Sequence, residues 1–310
     1  MKEFTITKYE SGLTLSKYIK TKVDVNKTFL IMMERKKLIR VNKTHPKNFD
    51  LLLNEGDVIS FYIGDDLFKN TTIKPAFDII FEDDNLLIID KDDYKKVYGD
   101  IKNHDSLLDD VTSYLISKGE YIPSLENSFK PQISTRLDTN TRGLLIISKN
   151  KKTLTLINKL ITERKIDKYY KAIVKGTFRN KEGILKDYIE IDDKKSLVRV
   201  YKEKCENRKE IITAYKVILE NNLYSILEIK LVTGRTHQIR SHLAFYNHPV
   251  LGDNKYGDKA LNAKLNLKHQ ELISYKLVFP SEGLEHLSYL ENKVFLSKKE
   301  FIFKFIHKNE

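Results

Sequence analysis

The sequence predicts an α+β fold built on a mostly antiparallel sheet, and three observations carry that prediction. Runs with two-residue alternation outnumber runs with helical spacing. The strand-like runs follow one another without the regular βαβ alternation that a parallel sheet needs. The length, 310 residues with 41% hydrophobic content, is enough for one substantial core plus a smaller module.

Taken in order, residues 1–64 read as a small N-terminal domain. Leu13, Leu15, Tyr18 and Ile19 have near-helical spacing. A second helix follows, capped by Asn26 or Thr28, with Phe29, Leu30 and Met33 on its apolar side. A short strand at 38–41, a turn at Asn42-Lys43, a polar loop with Pro46, and a strand at 58–61 after Glu55-Gly56-Asp57 complete it. Residues 65–76, polar and containing Pro75, read as a linker. The second domain, 77–310, opens with two short strands around the turn Glu82-Asp83-Asp84-Asn85. A helix is expected at 106–117 from Leu107, Leu108, Val111, Leu115 and Ile116. A loop and strand at 138–148 lead to a helix capped by Asn150, with Leu154, Ile157, Leu160 and Ile161 on one face. Strand alternation returns at 168–176, dominates 185–232 and recurs at 275–279 and 301–306.

Lys and Arg number 55 against 43 Asp and Glu, a net charge of +12 with a pI near 9.3. Neutralising phosphate drives nucleic-acid affinity, so a polyanionic partner is favoured over a membrane. Residues 1–64 alone hold 12 basic and 7 acidic residues, and Arg35, Lys36, Lys37, Arg40 and Lys43 cluster at the end of the second helix. Such a cluster suits phosphate contacts. The single cysteine, Cys205, excludes an intrachain disulfide and every multi-cysteine zinc pattern. His237 and His242 are five apart and do not share a helix face as a metal-binding i, i+4 pair would. No apolar run approaches a membrane span and no signal peptide is evident, so a cytoplasmic protein without metal is expected.

Two stretches offer chemistry. Arg136-Leu137-Asp138 is followed after four residues by Gly143 and the apolar run Leu144-Leu145-Ile146-Ile147. About a hundred residues later comes Gly234-Arg235-Thr236-His237-Gln238-Ile239-Arg240. Between them lies Lys168-Tyr169-Tyr170-Lys171-Ala172, whose alternation puts Tyr170 and Ala172 on one strand face. A carboxylate kept charged in a water-poor cleft needs a cation to offset its desolvation, and an arginine from a distant segment could supply it.

In combination these segments resemble the active-site motifs of the RluA-type pseudouridine synthases, which isomerise uridine to pseudouridine within RNA. The resemblance spans most of the chain and implies a long mixed sheet with the cleft across its middle. It puts Asp138 in the role of nucleophile, whether by adding to the base or by assisting at the sugar. Tyr170 is then the tyrosine that stacks on a flipped uracil with its hydroxyl near a proton, and Arg136 the side chain that fills the space the uridine vacates. Arg240 becomes the salt-bridge partner of Asp138, a duty Arg235 could exchange with it, while Arg235, His237 and Gln238 contact RNA or brace the loop.

The order of elements in the N-terminal domain resembles the S4-type RNA-binding domain, which lays a basic helix face against structured RNA. A cofactor-free, monomeric enzyme acting on ribosomal RNA is implied, with tRNA as the other substrate in related enzymes. Three features depart from the family. Residues 91–99 lack the proline and early glycine of the usual Lys-Pro-x-Gly loop, Thr135 replaces a histidine, and Arg142 stands where a small residue is common, adding charge that could serve RNA phosphate. The altered loop motivates the alternative of a non-catalytic RNA-binding or ribosome-assembly factor.

Overall fold

The computed structural model describes residues 1–23, 27–63, 75, 77–92, 95–99, 106–118, 120–121, 129–192 and 197–303, the side chains of 27–29 and 117 excepted. The chain divides into two compact units, Met1–Ala76 with Asp109–Pro131, and Phe77–Leu108 with Gln132–Glu310. Among the described residues, no helix is long and apolar enough to cross a membrane.

The first unit contains β1 (Lys2–Thr5), α1 (Leu15–Lys22), α2 (Lys27–Arg35), β2 (Ile39–Val41) and β3 (Val58–Phe61). Its strands form an antiparallel sheet in the order β1-β3-β2. Thr14 caps α1 by accepting from the Lys17 amide, and Tyr18, Ile19, Leu30 and Met33 bury the inner helix faces against Ile39, Ile59 and Phe61. β1 was not legible in advance, because Lys2-Glu3-Phe4-Thr5 is largely polar and exposed at an edge. The Asn26 cap, the Thr28 and Phe29 side chains, and linker residues 65–74 and 76 lie outside the described residues.

The second unit is an α+β structure on an eleven-stranded mixed sheet with flanking helices. In chain order it has β4 (Asp78–Glu82), β5 (Leu86–Lys91), β6 (Gln132–Ile133), β7 (Arg142–Ser148), β8 (Asp167–Lys175), β9 (Glu182–Asp192), β10 (Leu197–Tyr201), β11 (Lys209–Glu220), β12 (Tyr224–Leu231), β13 (Leu272–Val278) and β14 (Val294–Leu296). The helices are α3 (Leu107–Ser117), which spans the division between units, α4 (Lys151–Thr162), α5 (Gln238–Phe245) and α6 (Lys259–Lys264). The sheet runs β10-β9-β11-β12-β8-β13-β7-β5-β4, with β14 added beside β13 and β6 beside β7. Every pairing is antiparallel except β13 with β7.

That parallel join rests on one glycine. Gly143 sits at φ +110°, and a Cβ there would lie 2.2 Å from the Ser274 carbonyl oxygen, so only glycine lets the strands approach. Asn150 caps α4 by accepting from the Thr153 amide, and Leu156, Ile157 and Leu160 are buried against β5, β7 and β13. Leu156 rather than Leu154 is on the buried face, a rotation of that stripe from its predicted setting. The expected strand at 301–306 is not one over its described part, 301–303; the closing strand is β14. The Ile302 amide donates to the Glu271 carboxylate instead of to a sheet partner.

Candidate active site

Asp138 lies in the loop from β6 into β7. Its carbonyl accepts from the Thr141 amide (2.9 Å), closing a turn, and the Thr135 hydroxyl upstream accepts from the Ile146 amide (2.9 Å). The loop is fastened from below by Lys91. This lysine is fully buried at the end of β5 and donates to the carbonyls of Asp92 (2.7 Å), Thr139 (2.6 Å) and Thr141 (3.0 Å). So the family's loop lysine is retained, and it braces the turn that carries Asp138 although the proline and glycine are gone. Lys91→Met should leave buried carbonyls without a donor, costing about 1–3 kcal/mol. It should also lower kcat by about 10- to 100-fold while RNA affinity stays within twofold, since a small displacement of a reacting group acts on the chemical step. Single-turnover rates beside binding measurements check this; loss of affinity alone would contradict it.

Arg240 comes from α5. Its Nη1 donates to Asp138 Oδ2 at 2.7 Å, and its Nε and Nη2 form a two-pronged pair with Asp253 Oδ2 (2.7 Å) and Oδ1 (2.9 Å). Asp253 is fully buried, and its Oδ1 also accepts from the Lys255 and Tyr256 amides. It follows Gly252, at φ +74°, where a Cβ would meet the His269 carbonyl at 1.9 Å. Burial alone would raise the Asp253 pKa; hydrogen bonds and charge from Arg240 outweigh it and bring the group below the ordinary carboxylate value. Burial also opposes the Arg240 cation, and the two carboxylates overcome that, raising its pKa above the usual value. Arg240 is therefore a fixed charge oriented by Asp253 and aimed at Asp138. Arg235 has no such duty: it is exposed at the mouth of the pocket.

Tyr170 is buried on β8, in register with Ser274, which is itself in register with Gly143. The close β7–β13 join thus brings the tyrosine and the strand leaving Asp138 to the same place. Burial is the main cause that pushes the Tyr170 phenol up to about 12, with Asp138 adding to it. At neutral pH it is a proton donor and not a base. A Tyr170→Phe variant should accordingly keep the wild-type shape of the pH–rate profile between about pH 6 and 9, at a lower rate. Disappearance of a rising limb in that range would show that the phenol titrates there.

His237 occupies the left-handed region at φ +52°, at the start of α5. The Tyr256 hydroxyl accepts from the Val198 amide (2.8 Å) and shares a hydrogen bond with His237 Nδ1 (2.9 Å), while His237 Nε2 faces Asp138 Oδ1 at 4.0 Å. Burial, helped by the charges of Arg240 and Lys255 and opposed by Asp138, lowers the His237 pKa and keeps the ring neutral.

Of the two duties open to Gln238, contacting RNA or bracing the loop, its contacts match the second. It is buried; its Oε1 accepts from Thr233 Oγ1 (2.9 Å) and the Arg235 amide (3.0 Å), and its Nε2 donates to the Ile212 carbonyl (3.1 Å) and Thr213 Oγ1 (3.0 Å). With its amide fully engaged, Gln238 braces the loop and has nothing to offer RNA. Arg142 corrects a sequence expectation. It is buried, pairs with Glu271 at 2.9 Å and also donates to the Glu300 carbonyl, so it pins the C-terminal segment and is not presented to phosphate. His242 is buried against Asp187 (2.9 Å) and Thr213 (2.9 Å). Among the described residues, no group of three or more histidine, cysteine or acidic side chains is arranged to hold a metal.

Asp138, Tyr170, His237 and Arg240 line one pocket of about 270 Å³, with Arg136 and Arg235 at its exposed side. Lys168 lines it too, a residue that sequence reasoning passed over although it stands two positions before Tyr170 on the same strand face. In the first unit, Arg35, Lys36, Lys37 and Lys43 are exposed, whereas Arg40 is half-buried with its guanidinium 4.9 Å from the Tyr62 ring centroid.

A family model described as RNA pseudouridylate synthase matches residues 85–245. A protein of Mycoplasma capricolum subsp. capricolum, described as an uncharacterized RNA pseudouridine synthase, is 32% identical over 97% of this chain and 99% of its own length. Ribosomal large subunit pseudouridine synthase D of Blochmanniella floridana is 31% identical over 73% of this chain and 69% of its own. Among solved structures, human RNA pseudouridylate synthase domain containing 4 superposes with a TM-score of 0.56 at 22% identity, covering 71% of this chain and 88% of that one.

Proposed function

The chain belongs to the RNA pseudouridylate synthase family, enzymes that isomerise uridine in RNA, and from that premise we propose that Asp138 is the nucleophile and that large-subunit ribosomal RNA is the substrate. The observation that carries the first part is the 2.7 Å contact of Arg240 with Asp138 inside a pocket that also holds Tyr170. In the net reaction the C1′–N1 bond breaks, a C1′–C5 bond forms, a proton leaves C5 and a proton reaches N1. A carboxylate oxygen serves this by adding to an electrophilic carbon of the flipped nucleotide, in the base or the sugar, and departing later. Arg240 holds the carboxylate in place by a direct hydrogen bond, Tyr170 offers a ring face to the uracil, and Arg136 stands ready to fill the gap left in the RNA.

The ribosomal substrate is supported by the relatives, two of which are named as acting on the ribosomal large subunit. The first unit, in this reading, is an S4-like module whose Arg35, Lys36, Lys37 and Lys43 contact phosphate. The enzyme is read as a cytoplasmic monomer that needs no cofactor. The test is to map pseudouridines by carbodiimide chemistry in cells lacking the gene, alongside in vitro reactions on unmodified ribosomal and transfer RNA. A site lost from ribosomal RNA, restored by wild type but not by an Asp138 variant, is the expected result. An unchanged ribosomal map with a lost transfer-RNA site would move the substrate, and no lost site would remove the proposal.

A further inference from the structure

Lys168 lines this pocket, and the roles above leave it unused. Its ammonium reaches the loop before α5, where a Cβ on Gly234 would lie 3.4 Å from Nζ. It is half-buried, yet no carboxylate lies within ion-pairing distance and no hydrogen-bond partner meets it among the described residues. A lysine partly withdrawn from water without a partner carries a cost, since desolvation disfavours the charged form. That desolvation is the sole cause lowering its pKa. Asp138 does not relieve it, being engaged by Arg240. Beyond Gly234 stands Arg235, exposed and lining the same pocket.

We propose that Lys168 and Arg235, which line the same pocket beside Gly234, bind a phosphodiester group of the RNA next to the flipped uridine. This rests on the reading of the pocket as the synthase site and names a further substrate contact within it. An anion is the fitting ligand because an ammonium out of water needs a full negative charge to offset its desolvation, which a neutral uracil carbonyl supplies only in part. Gly234, without a side chain, leaves room beside Lys168 for a bulky phosphate to approach. Arg136 and Arg240 add positive potential to the same pocket, and Asp138 is the carboxylate that lines it.

The test measures the affinity of the full-length protein for an unmodified large-subunit ribosomal RNA transcript across a salt series, together with single-turnover tritium release from C5. Each phosphate contact contributes about 0.7 to the log–log salt slope for single-stranded RNA. Lys168→Met should flatten the slope by about that amount and weaken binding at low salt, with tritium release at saturating protein within about threefold of wild type. Lys168→Arg should restore the slope. Because methionine removes an unpartnered, half-buried charge, the thermal midpoint should hold or rise; should the methionine variant not fold, Lys168→Gln gives the same readout. An unchanged slope with a slower chemical step would place Lys168 on the uracil and overturn the proposal, as would no change in either. If the parent reading is wrong instead, wild type itself releases no tritium from this transcript, a result on which the salt slopes do not depend.

Discussion

Asp138→Asn is expected to reduce pseudouridine formation by about 10⁴-fold or more, the scale on which removal of a covalent nucleophile acts. The change is nearly isosteric, and the amide oxygen can still accept from Arg240 Nη1, so the loop that Lys91 and the Thr141 amide hold should stay in place. The lost property is the charge, and with it the electron pair that bonds to the nucleotide. RNA affinity should fall little, or rise slightly, because a negative group has been taken from a pocket lined by four cations, Arg136, Lys168, Arg235 and Arg240. Single-turnover conversion, RNA binding and thermal melting on one preparation separate these effects. A variant that keeps even a tenth of the wild-type rate would show that the carboxylate is not the nucleophile.

How much of this site was legible in the sequence follows from which interactions are local. Asp138, Tyr170 and Arg240 could be placed by motif, and strand alternation alone put Tyr170 on one face of β8. Their convergence could not be read, because it depends on β13 lying between β8 and β7, and that join rests on Gly143, 131 positions before its partner Ser274. Lys91 and Asp253 carry no signal of their own in the sequence, yet they hold the two sides of the Asp138–Arg240 pair through contacts 48 and 13 residues apart. Arg142 shows the converse error, and Gln238 an alternative that sequence left open. Polar side chains in a basic segment suggest RNA, but burial and satisfied hydrogen bonds decide the matter, and neither has a local signature. The fold class needed less: alternation without βαβ order was enough for a mostly antiparallel sheet, and the one parallel pairing was the part it could not supply.

Arg240→Met should be the most destabilising single change at the site as well as an inactivating one. The guanidinium serves two carboxylates through three hydrogen bonds, and Asp253, fully buried, would keep only its backbone amide donors. Breaking a buried ion pair by removing one partner costs about 3–5 kcal/mol, because the remaining charge is left uncompensated. Lysine cannot rescue this: one ammonium lacks the planar fork that spans Asp253 while a third N–H reaches Asp138. The origin of the cost can be checked by pH. The Asp253 pKa is depressed in the folded protein, so this group's stabilisation is present above its unfolded value, about 3.9, and is lost as pH falls through the lower folded value. In Arg240→Met, burial without the cation raises that pKa instead, and acid then relieves the variant by neutralising Asp253. Thermal midpoints from pH 7 to pH 4 should therefore converge for wild type and Arg240→Met, and adding Asp253→Asn to the variant should recover part of the loss at pH 7. A gap that stays constant across that range would mean the arginine stabilises by packing alone.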